Sequence, residues 1–210
     1  MRAIVTAGGT QEPIDDVRVV TNLSSGRLGV ALAGVLAARG AAVTLLAGPT
    51  VAAAERTDVE VVRFGTAAEL DDTITRALAA GPVGLFLMAA AVSDWAPIRH
   101  AGKLASHGEE MILHLAPVPK ILPTLRERCG GRTSIVGFKL LSQVTDEALI
   151  HAARQQIRDA RTDFCVANDL NRIGDRHPVH VVGRDGSVTA HDGTKDEVAE
   201  AIVERVWRTA

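Results

Sequence analysis

The sequence predicts an α/β protein of three layers, with a mainly parallel central sheet and a small C-terminal hairpin. Three observations carry this. Short apolar strand patterns alternate with helical patterns along the chain, as in successive βαβ units. Hydrophobic residues make up 47% of the chain but aromatic residues only 3%, and Tyr is absent. A core of Ala, Val, Leu and Ile suits parallel strands buried under helices on both faces. Finally, Val83 to Ala89 has no polar side chain, as expected of a central strand. With 210 residues, no internal repeat and no linker composition, the expectation is one Rossmann-like domain over 1–210.

The elements follow in order. Met1 to Thr6 reads as the first strand. Ser25 to Arg39 has Leu28, Val30, Ala31, Leu32, Val35 and Leu36 at helical spacing, and Gly40 supplies the stop. Ala41 to Leu46 and Val59 to Phe64 are the next strands. Thr66 caps a helix from Ala67 to Ala79, with Glu69 as its capping-box partner. After Val83 to Ala89 comes a long polar stretch, Ala90 to Glu109, containing Ser93, Asp94, Trp95, Pro97, His100, Gly102, Lys103, Ser106 and Gly108. Loops of this length tend to carry function. Met111 to Leu115 alternates as a short strand, and Pro117 to Arg128 reads as a helix. Ser134 to Lys139 is a strand, and Thr145 caps a helix to about Arg161. Asp163 to Ala167 is a strand followed by Asn168-Asp169. Val179 to Val182 and Val188 to His191 flank Gly183-Arg184-Asp185-Gly186, a hairpin signal. Thr194 caps a final helix with Val198, Ile202, Val203 and Val206 on one face.

Composition excludes several classes. Lys and Arg number 23 against 25 Asp and Glu, so no basic excess points to nucleic acid. No apolar run approaches the ~18 residues of a membrane span, and the N-terminus, which enters a strand pattern at once, is not expected to be a signal peptide. Cys129 and Cys165 fit no metal spacing and read as free thiols in a reducing cytoplasm. No Ser lies in GxSxG, and the seven histidines find no triad partner. His177 and His180 read as structural or exposed.

In a parallel sheet, ligands sit at the carboxyl ends of the strands. The first such loop holds Gly8-Gly9-Thr10, then Arg18, Asn22 and Ser24-Ser25-Gly26 before the helix. Glycine backbone and free helical N–H groups suit an anion, so this is a candidate phosphate site. A plain tight turn at Gly8-Gly9 and a plain N-cap at Ser24 to Gly26 remain open. Arg18 is either a surface residue or a bidentate contact to phosphate or carboxylate. Asp94, just past the fourth strand, could meet a ribose, a base or Mg²⁺, or cap the next turn. Lys139 ends an apolar strand, where a lone charge needs a reason. Lys120 follows Pro119 at the start of a predicted helix, where a bound phosphate would offset the dipole. Asn168 and Asp169 could contact a nucleotide or hold their loop.

Together the segments TAGGTxExID, VRxxTNxSSGxxG, AAxVxLLxGP, AAVSDW, GKLAS, PKIL, GFKLL with VTDEAL, and VANDL resemble phosphopantothenoylcysteine synthetase, the phosphopantothenate–cysteine ligase. The resemblance runs from Ile4 to Glu204. PKIL and GFKLL look like the monofunctional type, so the expectation is a ligase without a fused flavin decarboxylase domain. It implies a cytoplasmic acid–amine ligase of coenzyme A biosynthesis. The carboxylate of 4′-phosphopantothenate would attack the α-phosphate of CTP, or of ATP, with Mg²⁺ present. Cysteine would then displace the nucleoside monophosphate. By the resemblance, Asn22 holds the acyl intermediate, Arg18 binds substrate beside it, and Lys103 supports activation. Gly8, Gly9, Thr10, Ser24, Ser25, Gly26, Ala90, Asp94, Lys120, Phe138, Lys139 and Asn168 would contact the nucleotide and its phosphates. Family members are homodimers with sites completed across the interface.

The sequence departs from the family pattern at Trp95, where Tyr is common. Leu104-Ala105-Ser106 replaces a lysine-rich run after Lys103, which points to Lys120 and Lys139 for part of that role. The loop from Trp95 to Lys103 is short, which reduces any dimer arm. Two rival readings are an NAD(P)-dependent oxidoreductase, disfavoured by the missing GxGxxG, and a non-catalytic nucleotide-binding protein.

Overall fold

The computed structural model describes residues 1–52, 58–105 and 110–208. The chain opens with β1 (Arg2–Ala7) and a small ribbon of β2 (Gln11–Pro13) and β3 (Val19–Thr21). It continues through α1 (Arg27–Ala38), β4 (Ala42–Ala47), β5 (Val59–Arg63), α2 (Ala67–Ala79) and β6 (Leu85–Met88). A second ribbon, β7 (Trp95–Pro97) and β8 (Leu115–Pro117), precedes a 3₁₀ turn at Leu122–Thr124 and α3 (Leu125–Cys129). Then come β9 (Ser134–Leu141), α4 (Asp146–Ala160), β10 (Phe164–Asp169), β11 (Val179–Gly183), β12 (Val188–His191) and α5 (Lys195–Trp207).

The main sheet runs β12-β11-β10-β9-β6-β1-β4-β5. The six strands from β10 to β5 are parallel, and β11 and β12 pair antiparallel at one edge. This is the expected mainly parallel sheet with its C-terminal hairpin. Strand alternation sets the layers, because successive side chains point to opposite faces. Ala3, Val5 and Ala7 join Leu85 and Leu87 under Leu32 and Leu36 of α1 and Ile202 and Val206 of α5. Ile4, Phe86 and Met88 turn the other way, under Leu70 and Ile74 of α2 and Leu125 of α3. Register places Cys165 beside Gly137 on that second face, where Leu149, Ala153 and Ile157 of α4 cover it.

Local chemistry explains the helix ends. Thr66 with Glu69, and Thr194 with Glu197, form complete capping boxes at α2 and α5. Thr145 accepts from Ala148 N–H at α4. Arg2 donates from β1 to the Gly81 carbonyl at 2.7 Å and to Ala77, closing the carboxyl end of α2. Neither serine caps α1: Gly26 takes the N-cap position at φ 68° without a side-chain hydrogen bond.

Two expected elements are corrected. The strand expected over Met111–Leu115 is instead Leu115–Pro117, paired antiparallel with β7. All three β8 residues are exposed, so no buried face rewards the upstream alternation. The helix expected over Pro117–Arg128 is a 3₁₀ turn followed by five residues of α-helix. Pro123 has no N–H to donate within a continuous helix. Lys120 therefore lies ahead of any helix rather than at a helix N-terminus. The expected loop positions Ser106 and Gly108 lie outside the described residues.

Candidate active site

Counted in chain order, the parallel strands lie 3-2-1-4-5-6 across the sheet. The order reverses between β1 and β6, the switch point where doubly wound sheets bind ligands. The loops leaving these two strands are stitched together. Gly9 and Ala91 form a parallel bridge, and Ala91 N–H donates to the Gly8 carbonyl at 2.8 Å. Thr6 Oγ1 accepts from Ala90 N–H at 2.9 Å, and Thr10 Oγ1 accepts from Ser93 N–H at 3.0 Å. Thr10 is fully buried, so its hydroxyl is occupied in joining the two loops.

The glycines of the first loop meet neighbouring backbone. A Cβ on Gly26 would lie 2.5 Å from Val51 Cγ2 and 2.9 Å from Gly8 N. One on Gly9 would lie 2.5 Å from the Asn22 carbonyl oxygen. Gly8 and Gly26 both hold positive φ, at 85° and 68°. The two glycine-rich turns thus converge, and the start of α1 is brought against the end of β1. Ser24 and Ser25 lie just outside this contact; Ser24 accepts from Thr50 Oγ1 at 2.7 Å through its carbonyl.

Asn22 follows β3 directly, is exposed, and donates from Nδ2 to the Val92 carbonyl at 3.2 Å. It therefore bridges the glycine loop and the loop after β6. Arg18 pairs with Asp15 at 3.2 Å and donates to the Leu104 carbonyl, also at 3.2 Å. Lys103 is exposed, immediately before Leu104. The three residues carried by the family resemblance thus lie on connected segments.

Asp94 and Lys120, both expected at the nucleotide, form an ion pair with each other at the surface. Asp94 also accepts from Val118 N–H at 2.9 Å through its carbonyl. Lys139 is half-buried near the carboxyl end of β9, opposite Ala167 of β10. Phe138 is half-buried, packs against the core, and accepts from Gln156 Nε2 at 3.1 Å through its carbonyl. Asn168 contacts His177 Nε2 at 3.2 Å. His177 is buried, and burial, with the Lys195 charge, pushes its pKa below the ordinary imidazole value. Sequence reading gave His177 no site role, because a buried partner fixed by an irregular loop has no local signature.

Asp169 holds its loop. Its carboxylate accepts from Gln143, Val144 and Asn171 N–H at 3.1, 2.9 and 2.9 Å, which joins the ends of β9 and β10. These backbone donors, Val144 first, hold its pKa below the usual carboxylate range. Cys165 is buried and its thiol is pushed up to about 12 by that burial, so it is inert as a nucleophile.

Two hollows open elsewhere. One of about 230 Å³ is lined by Arg132, Ser134 and Arg184, and one of about 540 Å³ by Arg126, Arg154 and Arg158 among others. The first lies at the amino ends of β9 and β10, the second between the end of α4, Arg126 of α3 and the β11–β12 turn, both away from the switch-point residues. Arg126 is committed to Asp163 and to the Thr133 and Arg161 carbonyls. Arg184 is committed to the Thr162 and Arg161 carbonyls.

The fold and this edge define a doubly wound α/β protein whose two switch-point loops are hydrogen-bonded to each other. The chain belongs to the DNA/pantothenate metabolism flavoprotein C-terminal domain family, whose model matches residues 1–209. It is 38% identical over 208 residues to the coenzyme A biosynthesis bifunctional protein CoaBC of Thermococcus kodakarensis, covering 98% of this chain and 50% of that protein. It is 35% identical over 202 residues to CoaBC of Mycolicibacterium smegmatis, covering 93% and 48%. The chain thus spans about half the length of the curated relatives it matches. The crystal structure of the DNA/pantothenate metabolism flavoprotein from Streptococcus pneumoniae superimposes with a TM-score of 0.90 at 26% identity, covering 100% of both chains. A CoaBC C-terminal domain superimposes with a TM-score of 0.80 at 29% identity, covering 98% of this chain and 93% of the other.

Proposed function

We propose that residues 1–210 form one phosphopantothenate–cysteine ligase domain acting in coenzyme A biosynthesis. The observation that carries this is the match of the chain to this family almost end to end, and it is supported by Asn22 reaching the Val92 carbonyl after β6 and by Arg18 holding the Leu104 carbonyl next to Lys103. The names of the curated relatives support the pathway.

The reaction runs in two steps. A carboxylate oxygen of 4′-phosphopantothenate attacks the α-phosphorus of CTP or ATP, forming the acyl-nucleotide and expelling pyrophosphate. The cysteine amine then attacks the acyl carbon, loses a proton, and expels the nucleoside monophosphate. CTP is the preferred reading. Negative charge builds on phosphoryl oxygens in the first step, and Lys103 and backbone N–H groups near Gly8 and Gly26 would offset it. Lys139, Asn168 and the Asp94–Lys120 pair would line the nucleotide's side. Arg18 would orient the carboxylate. Asn22 would donate to the acyl carbonyl without competing as a nucleophile. Among the described residues no group of three His, Cys, Asp or Glu could hold a metal. Mg²⁺ bound to the nucleotide phosphates would neutralise charge there. The protein would act as a cytoplasmic homodimer, without nucleic acid or membrane partners. Among the described residues no helix is long and apolar enough to cross a membrane.

The test is pyrophosphate release from CTP and from ATP, each with 4′-phosphopantothenate. Release that requires phosphopantothenate supports the reading, and the ratio between nucleotides sets the preference. No release with either nucleotide, or an NADP-dependent absorbance change instead, would overturn it.

A further inference from the structure

Asp15 has no place in the proposed chemistry, yet its side chain is fully buried. It lies in the turn between β2 and β3. Its Oδ1 accepts from Val17 N–H and Arg18 N–H, both at 2.8 Å. Its Oδ2 accepts from Leu104 N–H at 3.0 Å and from Arg18 Nη1 at 3.2 Å. The Asp15 carboxylate thus receives two donors from its own turn, one from the Arg18 guanidinium and one from a segment 89 residues away. Arg18 closes the arrangement by donating to the Leu104 carbonyl at 3.2 Å. Leu104 is therefore held at both its N–H and its C=O.

The same turn grips the chain on the other side of Lys103. Asp16 N–H donates to the Gly102 carbonyl at 3.3 Å, and His100 N–H donates to the Ile14 carbonyl at 2.8 Å. Arg99 pairs with Asp16 at 3.1 Å. Lys103 is an exposed side chain between two anchored neighbours, on a segment with no regular structure of its own. A buried ionised carboxylate is costly unless its lone pairs are satisfied, and here each oxygen has two donors. The Leu104 N–H, foremost among them, keeps the Asp15 pKa below the ordinary carboxylate value. The turn also sets where β3 leaves and hence where Asn22 stands.

We propose that Asp15 is a positioning residue for Lys103: its buried carboxylate, with Arg18, clamps the backbone at Leu104 and so fixes where the lysine side chain leaves the chain. The catalytic consequence rests on the ligase reading; the clamp itself does not.

The isosteric Asp15→Asn replaces one acceptor oxygen with a donor that opposes the N–H groups facing it. Hydrogen exchange is measured on the full chain, with and without the substitution. In Asp15→Asn, amide protection in peptides spanning Leu104 falls at least ~10-fold, while β1 and β6 amides keep theirs. Asp15→Glu, which keeps the charge but misplaces it, shows a smaller loss and serves if the asparagine variant fails to fold. In the pyrophosphate-release assay, Asp15→Asn lowers kcat roughly 10- to 100-fold, as expected for a misplaced group, with nucleotide KM changed less than about twofold. In a Lys103→Gln background the same substitution costs less than about twofold more, because it acts through the lysine. Unchanged protection at Leu104 in both variants overturns the clamp. Losses that multiply in full in the double variant overturn its action through Lys103. If the unsubstituted chain releases no pyrophosphate, the ligase reading fails, and the exchange measurement alone still decides the clamp.

Discussion

Replacing Gly26 with Ala tests whether the two glycine-rich turns are held by backbone contact. Gly26 sits at φ 68°, where an L-residue costs about 1–2 kcal/mol. Its new Cβ would lie 2.5 Å from Val51 Cγ2, 2.9 Å from Gly8 N and 3.3 Å from Gly8 Cα. A backbone nitrogen cannot rotate away, so α1 and β1 must separate by several tenths of an ångström. Overpacking of this kind costs roughly 1–3 kcal/mol more. The sum is about 2–5 kcal/mol, or roughly 4–20 °C in melting temperature at ~2–4 °C per kcal/mol for a chain of this size. Gly40→Ala is the control: Gly40 has φ 84° but nothing within 4 Å of a Cβ, so it carries the conformational cost alone. Thermal and urea unfolding of both variants give the comparison. Equal destabilisation by the two substitutions would refute the contact argument, and with it the claim that Gly26 brings α1 against β1.

Other predictions concern the site. Folding depresses the His177 pKa, so the unfolded chain takes up a proton first as pH falls. The stability of the neutral ring is fully present above about pH 6.5 and is lost as pH drops through the folded value. Urea unfolding between pH 8 and 5 shows that slope, and His177→Gln flattens it; an unchanged slope would exclude His177 as its source. Asn22→Asp is expected to retain phosphopantothenate-dependent pyrophosphate release but slow formation of the cysteine conjugate, whereas Lys103→Gln impairs release itself. Equal loss of both steps in Asn22→Asp would remove its role at the intermediate. Normal release by Lys103→Gln would move the activating role to Lys120 or Lys139.

The layers were legible because their signals are local. The apolar run of β6 is fully buried, and the Thr66 and Thr194 capping boxes form as their spacing dictates. Ribbons β2–β3 and β7–β8 were not legible as such. Each strand has only three residues, and their pairing depends on long-range bonds such as His100 N–H to the Ile14 carbonyl. Glu12 in β2 is buried because it accepts from Ala67 N–H at 2.9 Å, at the start of a helix 55 residues on. At the site, residue types were legible but partnerships were not. Thr10 binds Ser93, Arg18 binds Asp15 and Leu104, and Asp94 binds Lys120, each across a sequence gap that topology alone closes, except for Arg18 with Asp15. That local pair has a sequence signature: an Asp whose carboxylate accepts N–H groups two and three residues on is an Asx-type turn.

The central claim is an acyl-nucleotide intermediate, and isotope transfer tests it most directly. 4′-Phosphopantothenate labelled with ¹⁸O in its carboxylate is turned over with CTP or ATP and cysteine, and the nucleoside monophosphate is analysed by mass spectrometry. Attack of the carboxylate on the α-phosphorus, followed by displacement at the acyl carbon, leaves one labelled oxygen on the monophosphate. A monophosphate without label, formed alongside the cysteine conjugate, would contradict the account.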